Sequence, residues 1–392
     1  MRQSEGAGVK ANPLSGSGSR REHSWDALRA LLMLLGIPYH AALSYRIGQP
    51  WIVNSHEGAP GLPMIADAIH LFRMPGFFVI AGYFAALLLA RREPGDWLRD
   101  RFRRLGVPFV VSLLVLVPVL NIACELSNFA LPQAMESWKF NSARSGGYWV
   151  RHLWFLIVLL YCSSAAALAV HLWPSLRRAS LPSRIDGWVA RHFTLSLLLC
   201  CAVIGLWQGA AIELFYMAGL ATNLPQQILR IDDLISSAPY FLLGCLICRA
   251  RLTLERIRRF SPAAVLVAAV AAAAWLAFAS DLWPPTGRFI ATFAAISATQ
   301  ILIATAQRLW NRPIPLVQRF VAASFVIYLF HLPILAILVV VGQPLAIPPL
   351  AKAIAVTLLT LGLSYAAWLA ISRSRVLSFL FSGERLRPKS AG

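Results

Sequence analysis

The residues best able to do chemistry in this chain lie inside its most apolar stretches. The run "RALLMLLGIPYH", residues 29–40, begins with Arg29 and ends with His40. Eleven residues carry an α-helix about 20° past three full turns and about 16 Å along its axis, so the two side chains share one face at different depths. Pro38 removes the helix hydrogen bond to Leu34 and loosens the backbone just before the histidine. An arginine at mid-membrane costs about 3 kcal/mol and is expected to face the protein interior with a partner. The plainer alternative is that Arg29 snorkels to the interface and His40 only bonds a backbone carbonyl. A titratable imidazole at this depth is suited to moving protons near neutral pH.

A second cluster lies in "DAIHLFRMPGFFVIAGYFAALLLARR", where Asp67, His70 and Arg73 recur at i, i+3 and i+6. Running in from the opposite side, they start at about the depth that His40 reaches. Asp67 is the candidate to orient His40 and to stabilise its imidazolium, and His70 is the next. Arg73, flanked by apolar residues, offers a fixed cation to a carboxylate, unless it pairs internally with Asp67 or Glu213. A structural network joining two helices is the alternative reading. The small residues of "AGYFAA" permit close helix packing.

Further along, "RREPGDWLRDRFRRLGVP" holds six arginines against three acids. Such a loop ordinarily serves topology and lipid headgroups, but Arg101 and Arg104, at i and i+3, also suit a phosphate clamp. His331 in "YLFHLP" lies in the upper middle of a late apolar run, where it lines a cavity or is structural. Arg151, His152 and Trp154 of "WVRHLWFL" read as interfacial anchors. The CxxC of Cys245 and Cys248 lacks a second pair or a nearby histidine, and reads as buried free thiols rather than a metal site or disulfide.

The elements that must position these groups are membrane helices. Of 392 residues 58% are hydrophobic and 14% charged, against about a quarter charged in a soluble protein, and mean hydropathy is +0.63. Ten spans are expected, at about 24–45, 64–90, 105–123, 148–172, 193–213, 233–248, 261–283, 286–306, 321–341 and 350–371. The expected fold is therefore an all-α polytopic bundle. Residues 1–22 form a disordered polar tail without signal-peptide character, residues 23–375 the membrane domain, and residues 376–392 a C-terminal tail. Alternating sides along the chain puts 27 Lys and Arg on one face and seven on the other, with only Arg29 and Arg73 inside spans. The positive-inside rule then places both termini in the cytoplasm, as expected of a multi-pass inner-membrane protein.

The same distribution explains the net charge of +19 without nucleic acid, for which no soluble module remains. The longest outer loop, about 124–147, is too short for a domain, so any chemistry is confined to the bundle. Buried charges suit a transporter or flippase equally, although no internal repeat is visible. A non-enzymatic scaffold would have little use for them.

These motifs together resemble the acyltransferase-3 family of integral membrane acyltransferases. The resemblance rests on an arginine and a histidine separated by ten intervening residues in the first helix (Arg29 and His40), and on "MPGFFVIAGY", with Ala81 where the family has serine. It rests also on "RFRRLGVP" from Arg101 to Pro108, and on "YLFH" near the C-terminus. It covers residues 23–380, and "HLWFLIVLL" is most similar to the branch that succinylates osmoregulated periplasmic glucans. The resemblance implies transfer of an acyl group, succinyl or else acetyl, from cytoplasmic acyl-CoA to a hydroxyl of an extracytoplasmic carbohydrate such as a periplasmic glucan. It implies acyl-CoA as a substrate, with no bound cofactor and no metal. Arg101 and Arg104 would hold the CoA phosphates, the pantetheine arm would pass Arg29, and His40 would act as general base. Without a GxSxG elbow or a Cys–His pair, direct transfer is favoured over an acyl-histidine relay.

Overall fold

The computed structural model describes residues 22–47, 51–144, 146–220, 228–278 and 280–385. Every regular element among them is helical. The first span is α1 (His23–Leu34) and α2 (Gly36–Ser44), and α3 (Leu62–Leu89) is the second. The third joins α4 (Pro94–Arg101), a π-helical turn (Phe102–Gly106) and α5 (Val107–Leu126). Next come α6 (Leu131–Arg144), α7 (Gly146–Val150), a 3₁₀ turn (Arg151–Leu153) and α8 (Trp154–Leu172). They are followed by α9 (Ser183–Arg191), α10 (Phe193–Met217), α11 (Ile231–Arg249), α12 (Arg251–Ile257) and α13 (Pro262–Phe278). The chain ends with α14 (Pro284–Leu309), α15 (Pro315–Gly342), α16 (Pro349–Ser372) and α17 (Arg375–Ser382).

Among the described residues nine segments are long and apolar enough to cross a bilayer, or ten if α12 and α13, bent by 68°, count as one. The expected seventh span at 261–283 is the altered one. Helix α13 has only 17 residues, shorter than the roughly 20 that a bilayer core requires, and α12 completes its length at an angle. The other nine spans fall within a few residues of expectation, except that the third starts earlier, in α4.

Between lipid-embedded helices there is no water to drive association, so close packing and small residues hold the bundle together. Helices α3 and α11 show this most sharply. A Cβ on Gly82 would strike the carbonyl of Phe241, and one on Gly244 the carbonyl of Val79. The Cys245 thiol donates to Gly82 O at 3.3 Å across the same seam. Trp25 stacks on Tyr83 with centroids 4.0 Å apart, which fixes α1 against α3. The rings of Phe77 and Phe155 meet edge to face at 4.6 Å, tying α3 to α8.

The arginine-rich connections meet at one end of the bundle. There Arg258 pairs with Glu22 at 3.0 Å, Arg177 donates to Arg92 O at 2.7 Å, and Arg103 donates to Gly383 O at 3.0 Å. Asp186 accepts from Leu252 N, Thr253 N and the Thr253 hydroxyl, capping α12 from a distance. At the opposite end Gln343 donates to Asn54 O and Ser127 O, and buried Lys352 pairs with Glu57 at 2.8 Å.

Candidate active site

The first span is interrupted at Leu35, between Arg29 and His40. Proline at 38 leaves the Leu34 carbonyl without its helix donor, and Gly36 supplies a position without a side chain. A Cβ at Gly36 would lie 3.0 Å from Arg73 Nη1 and 3.5 Å from His331 Nε2. The break therefore lets a guanidinium from the second span and an imidazole from the ninth press against the backbone of the first.

Around this point lies a chamber of about 400 Å³. His40, 9% exposed, enters it from α2 beside Tyr39, with His70 and Arg73 from α3. The His40 ring is packed rather than hydrogen-bonded: Trp51 stacks on it at 5.0 Å, Tyr39 meets it edge-on at 4.8 Å, and its Nδ1 has no partner among the described residues. His331 stands 5.3 Å from it, centroid to centroid, and His152 lies 5.4 Å beyond His331. The Nδ1 of His331 is 2.6 Å from Tyr328 O. A carbonyl only accepts, so in the neutral ring Nδ1 carries the proton and Nε2 is left as a bare acceptor.

Three arginines line the chamber: Arg230, which pairs with Asp233, Arg151, which bonds Asn121, and Arg73, which stands beside His40. The Arg73 guanidinium lies 4.8 Å over the Tyr39 ring, its Nε is buried without a hydrogen bond, and no acid pairs with it among the described residues. Of the two acids considered for it, Glu213 pairs with Arg288 and Asp67 is 3.7 Å from Arg46. No contact of Asp67 with His40 is formed among the described residues either: Arg46, two residues past the end of α2, faces the carboxylate instead. His70 stays near, with Tyr39 Oη 3.3 Å from its Nδ1, and its ring lines the chamber.

Sequence reasoning missed His152. Its position beside Arg151 and Trp154 at a span end suggested interfacial anchoring, yet it is 7% exposed and lines the chamber. Arg151, in the left-handed region at φ 47°, turns the chain so that the imidazole points inward. Its Nε donates to Asn121 at 2.6 Å, and its guanidinium covers Tyr148 at 4.4 Å. Among the described residues the other non-glycine position with positive φ is Arg230, at 55°, also on the chamber wall. Strain of this kind gathers where a site needs a side chain aimed against local preference.

Arg29 lies outside the chamber, whose walls take Leu32 and Met33 from α1. It is 3.4 Å from Asp26 and 5.6 Å above the Phe84 ring, towards the basic end. Arg101 faces the same region, over the Trp97 ring at 5.6 Å and close enough to Arg29 and Arg104 to be repelled by both. Arg104 instead lines a wide surface basin with Arg92, Arg99, Arg103, Arg375 and Arg385. A π turn advances each residue by less than the α-helical 100°, so Arg101 and Arg104 diverge more than i, i+3 spacing implies. Asp100 is shared by Arg92, Arg103 and Arg385, at 3.5, 3.0 and 2.9 Å. Arg104 and Arg375 make no ion pair among the described residues.

The family described as "Acyltransferase domain" matches residues 22–369. The chain is 29% identical to "Glucans biosynthesis protein C" of Salmonella gallinarum (strain 287/91 / NCTC 13346), over 93% of this chain and 95% of that protein. Similarity to the proteins of the same name from Salmonella typhi and Salmonella typhimurium has the same extent. No solved structure matches.

Proposed function

The chain belongs to this acyltransferase family, and we propose that it moves an acyl group, succinyl in preference to acetyl, from acyl-CoA at the basic face to a hydroxyl of a glucan presented at the opposite face. The basic face is cytoplasmic, with both termini on that side, and the bilayer is the inner membrane. Arg104 and Arg375 receive the CoA phosphates in the surface basin. The pantetheine arm passes the level of Arg29 and Arg101 and the Leu32–Met33 turn, and delivers the thioester to the chamber. His40 takes the hydroxyl proton, the oxygen attacks the thioester carbonyl, the C–O bond forms and the C–S bond breaks. The leaving thiolate then recovers the proton from His40. His331 holds its bare Nε2 beside the reaction as a positioning group.

One observation supports the reading above the rest: Arg73, a cation without an acidic partner among the described residues, beside His40 in a chamber within the bundle. An uncompensated charge in such surroundings costs several kcal/mol, and a donor with a distal carboxylate would satisfy it bidentately. The names of the similar proteins support a glucan acceptor. The test is full-length protein in nanodiscs supplied with labelled succinyl-CoA or acetyl-CoA and a glucan. Label appearing in the glucan, faster from the succinyl donor, is expected. Transfer from neither donor would remove the function, and a faster acetyl donor would remove the succinyl preference.

A further inference from the structure

A second chamber, of about 310 Å³, opens beside the first between α3, α8, α10, α11 and α14. His70, Met74, Trp154 and Asp233 line both, so the two share a wall. Its polar groups are built in. Gln208 is 4% exposed; its amide nitrogen donates to Ser236 O at 2.6 Å, and its Oε1 has no hydrogen-bond partner among the described residues. Both contacts from Arg230 to Asp233 fall on Oδ2, which leaves Oδ1 open. Nearer the basic end the same α10 and α14 enclose a smaller cavity lined chiefly by aliphatic side chains such as Leu197, Ile296 and Ile303. The polar lining therefore belongs to the two adjoining chambers and stops short of this smaller cavity.

The charge balance separates the two chambers chemically. In the second, Arg288 is neutralised by Glu213 and Asp233 by Arg230, so the lining is polar without an uncompensated cation. In the first, no acid pairs with Arg73 among the described residues, and the one lining carboxylate, Asp233, is held by Arg230. We infer that the second chamber is the acceptor subsite, and that it takes a neutral hexose unit whose hydroxyl reaches His40 across the shared wall. The hexose hydroxyls would donate to Gln208 Oε1 and Asp233 Oδ1, and an apolar C–H face of the ring would lie on the Trp154 indole. This inference rests on the transferase reading, because the hexose matters here as the owner of the attacking hydroxyl.

Equilibrium binding to the full-length chain in nanodiscs tests it, with labelled linear glucose oligosaccharides of several linkages and, in parallel, labelled succinyl-CoA. Gln208→Leu removes the acceptor oxygen at nearly constant volume, and Ser236→Leu crowds the chamber from α11. Each variant should raise the saccharide Kd tenfold or more, and by far more than the succinyl-CoA Kd. Wild-type saccharide affinity in both variants overturns the subsite while leaving the transferase reading standing. Parallel losses for both ligands mean general damage to the bundle, and also overturn it. If the wild type binds acyl-CoA but none of the saccharides, the subsite falls alone. If it binds neither, the transferase reading falls and takes this inference with it.

Discussion

His40 and His331 come from the first and ninth spans, yet their ring centroids lie 5.3 Å apart, with no carboxylate hydrogen-bonded to either among the described residues. His40 is held by stacking on Trp51 and by the edge of Tyr39, so packing does the orienting that an acid does in a triad. Removing a general base costs about 10²–10⁴ in rate. His40→Ala should therefore lower transfer by that order while the melting temperature in nanodiscs holds. His331→Gln should cost less. Asp67→Asn should stay near wild-type turnover, since that carboxylate faces Arg46. Full turnover by His40→Ala would end the assignment of the base, and a collapse in Asp67→Asn would return that acid to the mechanism.

Arg73 gives the donor preference its sharpest test. If its guanidinium meets the distal carboxylate of succinyl-CoA, Arg73→Met leaves that charge uncompensated in a low-dielectric chamber. The expected loss is on the order of 100-fold for succinyl transfer, equivalent to about 2.7 kcal/mol, with a much smaller loss for acetyl transfer. The comparison is made on kcat/KM for each donor. Proportional losses would make Arg73 a structural cation.

The spans were legible because a bilayer demands runs of about 20 apolar residues, and little in a soluble sequence imitates them. Single-helix geometry was less reliable. The shared face of Arg29 and His40 assumed one continuous helix, but the Leu35 break lies between them and Arg29 stays at the basic level. The i, i+3 clamp assumed α-helical spacing through a segment that is a π turn. Asp67 and His152 were misplaced for another reason: their surroundings come from Arg46 and from α15, which no local pattern reveals. His152 had a usable signal, a histidine between an arginine and a tryptophan just before an apolar run. That pattern also describes an ordinary interfacial anchor.

The α3–α11 seam should limit stability. Because the side chain added at Gly82 or Gly244 would meet a carbonyl rather than a movable side-chain tip, the two helices must separate to admit it. Overpacking costs about 1–3 kcal/mol where neighbours can adjust, and backbone cannot adjust locally. Gly244→Val should therefore lower the thermal transition of the detergent-solubilised protein by several degrees, and Gly82→Val should do the same. An unchanged transition in both would mean that the helices are held elsewhere.

Donor capture at the basin should respond to salt. Arg104 is exposed and makes no ion pair among the described residues, so its contact with a phosphate would be screened over a Debye length of about 8 Å at physiological ionic strength. Arg104→Ala should weaken acyl-CoA binding most at low salt, with the difference from wild type shrinking as salt is raised. Arg101→Ala should show a flatter salt dependence, since its Nε is buried over Trp97. Titrations of labelled acyl-CoA across a salt series check both. Identical slopes for wild type and Arg104→Ala would leave the basin a topological feature only.

Gly36 offers the most discriminating substitution, because stability and activity should respond in opposite directions. Alanine is the better helix former by up to about 1 kcal/mol, so Gly36→Ala should not weaken the first span. The new methyl would nevertheless stand 3.0 Å from Arg73 Nη1, and the guanidinium, the tip of a flexible side chain, must retreat by a few tenths of an ångström. His331 Nε2, at 3.5 Å, is in ordinary contact and keeps its place. A bidentate contact with a carboxylate is sensitive to such a shift, whereas the reach of His40 is not. The variant should therefore melt no lower than wild type and show a raised KM for succinyl-CoA, with acetyl-CoA nearly unaffected. Equal kinetics for both donors in a stable Gly36→Ala protein would mean that Arg73 does not read the acyl group.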